Sequence, residues 1–62
     1  MKNKKLGNLT LEPVEDPNKP GELYTGTFGW TVHAGVNFLD QAGRFQKGWI
    51  PLDLWNALPD AA

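Results

Sequence analysis

The chain contains no cysteine and no serine, has a single histidine, and carries a formal net charge of only −1. Without cysteine there are no disulfides and no zinc sites built on thiolates. His33 alone cannot make a histidine-rich metal site, so neither a metal nor another cofactor is expected. The usual hydroxyl and thiol nucleophiles are missing too. Thr25, Thr27 and Thr31 would need an activating base and an oxyanion hole to replace them. His33 is the one side chain that titrates near neutrality, and it is expected at a solvated turn. The run Gly26-Thr27-Phe28-Gly29-Trp30 lacks the lysine and the following helix of a phosphate loop. Asp40 and Asp53 fall too far apart in the expected topology to act as a carboxylate pair. Catalysis is the least expected class of function.

The near-neutral charge provides no overall field to attract DNA, RNA or an anionic membrane. No apolar run approaches the roughly 20 residues of a membrane-spanning helix. Met1–Lys5 is basic, but Gly7, Asn8, Thr10 and Glu12 interrupt the apolar segment that a secretion signal would need. These features read as a soluble, cytoplasmic protein.

What remains is a 62-residue chain with room for one domain, residues 1–62, and one core. A chain of this size buries only about 60% of its unfolded surface. Its few aromatic and aliphatic residues must therefore pack well, or a partner chain must complete the structure. Residues 1–5 are expected to be mobile. Leu6, Leu9 and Leu11 suggest a short first strand. Residues 12–21 carry Pro13, Pro17 and Pro20 among acidic residues and are expected to form a loop.

The stretch from Tyr24 to Phe38 organises the rest. Its even positions are Tyr24, Gly26, Phe28, Trp30, Val32, Ala34, Val36 and Phe38, and most of its odd positions are polar. Period-two alternation is the signature of a half-buried strand. A straight strand of this length would span roughly 50 Å at about 3.3 Å per residue. A compact chain of this size has a radius of gyration of only about 11 Å, so the stretch must turn. A three-residue loop at His33, Ala34 and Gly35 keeps the whole apolar stripe on one face, with Trp30 opposite Phe38 and Val32 opposite Val36. Trp30 then becomes a core residue. Downstream, Asp40-Gln41-Ala42-Gly43 has the residue preferences of a type I turn, with Asp40 and Arg44 able to pair across it. Residues 44–50 form the next strand, with Phe45 and Trp49 on one face and Pro51 ending it. Asp53 can cap a short helical turn through Leu58, whose Leu54, Trp55 and Leu58 would close the open end of the sheet.

Residues 48–55 read Gly-Trp-Ile-Pro-Leu-Asp-Leu-Trp. This resembles the end of an SH3 domain: Gly48, Ile50 and Pro51 match, and Asp53 is a near match. Leu54 stands where that family has its groove tyrosine, and no Ala-Leu-Tyr-Asp-Tyr-like run occurs near the start. The resemblance implies a small antiparallel SH3-like β-barrel; the residues alone imply a barrel or a meander, mainly β, with a short C-terminal helical turn. It also places Pro51 at a peptide-binding groove, with Trp30 a candidate for the groove tryptophan.

Three tryptophans and three phenylalanines are more than so small a core can hide, and a leftover apolar patch marks a protein contact. The expected function is a non-enzymatic interaction module, analogous to the small inhibitors and accessory subunits encoded by phages and mobile elements. Its partner is another protein or a second copy of itself, and its contact residues are Trp49, Trp55, Pro51 and Phe45. The alternative is a small barrel that stacks single-stranded nucleic acid on Trp49 and Phe45 and holds its phosphates with Arg44 and Lys47. The lack of net positive charge disfavours it.

Overall fold

The computed structural model of the protein describes residues 1–61. Five antiparallel strands are followed by one short helix: β1 (Lys4–Leu6), β2 (Leu9–Pro13), β3 (Thr25–Phe28), β4 (Thr31–Leu39), β5 (Phe45–Pro51) and α1 (Leu52–Ala57). The expected fold class holds in its meander form, because the sheet stays open and does not close into a barrel. The radius of gyration is 11.3 Å.

The long strand β4 is the spine. β5 pairs along one of its edges, from His33↔Pro51 to Leu39↔Phe45. The other edge is shared end to end. β3 takes Thr31–Ala34 and β2 takes Val36–Leu39. Gly35 sits at the junction, where its N–H donates to the Tyr24 carbonyl and its carbonyl accepts from the Val14 N–H.

The hairpin expected at His33–Gly35 does not form: β4 runs unbroken through those residues. The turn lies earlier, at Gly29 and Trp30, with Phe28 opposite Thr31. Both turn residues have positive φ, 53° and 72°, as a two-residue type I′ turn requires. This turn matches the natural twist of paired strands, and it inverts parity. Even residues of β3 therefore share a face with odd residues of β4. The apolar stripe that reads as one face in the sequence is split between the two faces of the sheet.

Trp30 is corrected from core residue to turn tip, at 101% relative exposure. A β-carbon at left-handed φ is strained, and this ring buries nothing in exchange. Trp30→Gly is therefore expected to keep or raise stability, by up to about 1 kcal/mol. Chemical denaturation checks this: a loss comparable to a core truncation would restore Trp30 to the core.

The buried face holds Leu11 (β2), Ala34 and Val36 (β4), Ile50 (β5) and Trp55 (α1). Leu6, Leu9, Leu23, Phe38, Leu52 and Leu58 pack around them. Phe38 lies over Gly48, where any β-carbon would collide with the ring. The helix follows directly on Pro51, its N-cap residue. Asp53 sits in the first turn and makes no capping hydrogen bond, so the expected Asp53 cap is not realised and the turn is α-helical.

The first residues also differ from expectation. The leucine-rich start is a hairpin of two strands about Gly7, whose φ is 60°. Its outer strand is tied to the C-terminal segment: Lys5 N–H donates to the Pro59 carbonyl and Ala61 N–H to the Asn3 carbonyl. The Lys4 ammonium donates to the Trp55 carbonyl at 2.9 Å and lies 5.1 Å from the centre of the Trp55 ring. A cation at the carbonyl end of a helix is favourably placed. In the proline-rich segment, β2 continues through Pro13, and Glu15 bridges Leu23 across the loop.

Candidate functional site: an aromatic cluster on the uncovered sheet face

The helix α1 packs on one face of the sheet, and among the described residues no element covers the other face. Inverted parity brings Tyr24, Gly26 and Phe28 onto this face together with His33, Gly35 and Asn37 of β4 and Phe45, Lys47, Trp49 and Pro51 of β5. Trp49 is the hub. Its ring centre lies 5.1 Å from that of Phe28 in an edge-to-face arrangement and 5.6 Å from that of Tyr24. Both separations fall within the favourable range for aromatic pairs.

Two glycines form the floor. A β-carbon at Gly26 would lie 3.2 Å from Phe28 and 3.3 Å from Trp49. One at Gly35 would lie 3.2 Å from the Tyr24 ring and 3.6 Å from Trp49. The absence of side chains at these two points lets the rings lie down on the backbone. Even so, Tyr24, Phe28 and Trp49 all remain exposed, Trp49 to 41%. Beside the Tyr24–Trp49 pair is a depression of about 250 Å³, lined by Val14, Tyr24, Gly35, Val36, Lys47, Gly48 and Trp49.

A polar row borders the rings. Glu12, Asn37 and Lys47 stand side by side across β2, β4 and β5. The Asn37 amide donates to the Glu12 carboxylate at 3.2 Å, while its buried Oδ1 has no partner among the described residues. At the other end His33, expected at a hairpin tip, lies within β4. Its Nδ1–H donates to the Thr31 backbone carbonyl at 3.0 Å, and its ring centre is 5.3 Å from that of Phe28. Its bonding partner is therefore backbone rather than a hydroxyl nucleophile. Among the described residues no group of three or more histidines, cysteines or acids is placed to hold a metal ion. No helix is long and apolar enough to cross a membrane.

The structure separates the contact residues expected from the sequence. Phe45, Trp49 and Pro51 share the uncovered face and are exposed. Trp55 lies on the opposite side at 6% exposure, inside the core, and offers a partner almost no surface. Arg44 belongs to the turn after β4, where its Nε lies 3.5 Å from an Asp40 carboxylate oxygen. That turn forms as expected: Gly43 N–H donates to the Asp40 carbonyl, and Asp40 Oδ1 accepts from the Ala42 and Arg44 N–H groups. Lys47 is on the aromatic face. Tyr24 and Phe28, which complete the cluster, read in the sequence as core. The signal that distinguishes them is Gly29, which allows the earlier, parity-inverting turn.

No family model, curated protein or solved structure matches the chain.

Proposed function

We propose that the protein is a non-enzymatic interaction module that binds another protein through the Tyr24–Phe28–Trp49 face. The observation that carries this reading is the cluster itself: three large rings packed on two glycines and left in solvent, on a sheet face with no second layer among the described residues. A layered domain gains stability by covering apolar sheet surface. A partner supplies the missing layer here, and tryptophan and tyrosine are the side chains most enriched where such contacts concentrate energy. Pro51 extends the same face beside His33. Phe45 adds an apolar edge beyond the polar row.

Single-stranded nucleic acid is the second reading, favoured by Lys47 lying on the same face as Trp49. The local charge opposes it. Glu12 stands in the same row as Lys47, and Arg44 is paired with Asp40. Titration of labelled single-stranded DNA and RNA at about 150 mM salt is expected to give dissociation constants no tighter than the non-specific range of about 10⁻⁴ to 10⁻⁶ M. Capture on immobilised protein is expected to retain a partner protein that the double variant Tyr24→Ala/Phe28→Ala releases, with both proteins folded. Sub-micromolar nucleic-acid binding that falls steeply with salt would reverse the order of the two readings.

A further inference from the structure

The sheet's edges are treated unequally. The outer edge of β1 is covered by the C-terminal segment through the Lys4↔Asp60 bridge and its neighbouring hydrogen bonds. β3 presents a free edge of only four residues. β5 presents seven, and among the described residues β4 is its only strand partner. A long unpaired edge is a template for another strand.

The hydrogen bonds of Gly35 show which groups β5 leaves free. Both the N–H and the carbonyl of Gly35 bond to Tyr24 and Val14, away from β5. Its partner Trp49 is therefore in a non-hydrogen-bonded pair and directs its own N–H and carbonyl outward. Because such pairs alternate along an antiparallel ladder, Lys47 and Phe45 do the same. Near the middle of this edge Lys47 is the charged side chain, long enough to swing clear of the backbone. The Trp49 ring leans inward over Gly26 and Gly35, and Gly48 has no side chain.

We infer that β5 pairs antiparallel with β5 of a second copy about a two-fold axis through Gly48, joining two sheets into one. The register follows from three constraints. A two-fold axis perpendicular to the sheet keeps like faces together, so only residues of equal parity can stand opposite each other. Centring on Gly48 uses the whole of β5, setting Phe45 against Pro51 and Gln46 against Ile50 of the second copy. It also sets Lys47 against Trp49. The competing centre at Lys47 would oppose two ammonium groups directly, which is destabilising. Lys47 N–H then donates to the Trp49 carbonyl of the second copy, Trp49 N–H donates to its Lys47 carbonyl, and Phe45 N–H donates to its Pro51 carbonyl. The two aromatic faces come to lie side by side. The edge is distinct from the rings that carry the proposed partner contact, so either can fail without the other.

A single-strand contact is small, and interfaces burying less than about 1,200 Å² are weak. Association is thus expected only in concentrated solution. Sedimentation equilibrium of the intact chain, in a series reaching about 1 mM, tests it where dissociation constants near 10⁻⁴ M are populated. Wild type is expected to dimerise reversibly. Lys47→Pro removes an outward N–H that β4 does not use, which an edge strand tolerates. It should weaken the dimer about tenfold or more with circular dichroism unchanged. Lys47→Ala should stay within about twofold of wild type, because it keeps the N–H and removes only an exposed charge. The chain has no native cysteine, so mixed Lys47→Cys and Trp49→Cys chains can report the register by oxidation. The mixture should cross-link more readily than Lys47→Cys alone. A wild-type monomer throughout the series, a dimer indifferent to Lys47→Pro, or preferential Lys47→Cys self-linking would each overturn the inference.

Discussion

Trp55→Ala is expected to unfold the domain at ordinary temperature rather than to weaken any partner contact. The ring is the largest side chain in the buried cluster and the one through which α1 is held to the sheet. Truncating a buried tryptophan costs about 3–5 kcal/mol. A domain of this size has about 3–9 kcal/mol in total at the usual stability per residue. The ring also lies beneath the Lys4 ammonium, which holds β1 against the end of the helix. Losing it loosens both chain ends together. Urea denaturation followed by circular dichroism should find little or no folded baseline for Trp55→Ala. Trp55→Phe should retain a cooperative transition at lower denaturant. An alanine variant with a wild-type midpoint would remove Trp55 from the core.

Trp49→Ala is expected to have the opposite signature: a folded protein with partner binding weakened about thirtyfold. The ring is half in solvent and packs on Tyr24, Phe28 and the two glycine floors. Its aromatic contacts are worth about 0.5–1.5 kcal/mol each, which weakens the fold without abolishing it. At the centre of a contact, truncating such a residue costs about 2 kcal/mol or more of affinity, about thirtyfold. The two tryptophans lie six positions apart near the C-terminus, yet one ring supports the fold and the other faces solvent.

That division was only partly legible in the sequence. The β class, the turn at Asp40–Gly43, the strand into Pro51 and the short terminal helix follow from local chemistry: alternation, an Asp-to-Gly turn and a proline stop. Local rules suffice where the signal and its consequence lie within a few residues. The central hairpin is different. Alternation shows which residues share a face along one strand, but parity across a turn depends on loop length. Gly35 and Gly29 are both credible turn residues. Gly35 is instead consumed as the floor beneath Tyr24 and Trp49, a role visible only once β5 is in place. A turn at Gly35 would put Trp30, Tyr24 and Phe28 together in the core, whereas the turn at Gly29 puts all three in solvent. Trp55 misled for a related reason: position near a chain end suggests exposure, whereas Lys4 and the C-terminal segment fold over that end.

Quantitative affinity capture on three folded variants tests whether the aromatic face carries partner binding. Wild type, Trp30→Gly and Trp49→Ala are immobilised at equal density, and the retained partner protein is titrated against each. Trp30 is the more exposed ring, so a surface that merely collects protein on exposed tryptophan would lose more from its removal. Trp30→Gly is expected to bind within about twofold of wild type, whereas Trp49→Ala is expected to bind about thirtyfold more weakly. Equal binding by wild type and Trp49→Ala would contradict a binding role for the aromatic face.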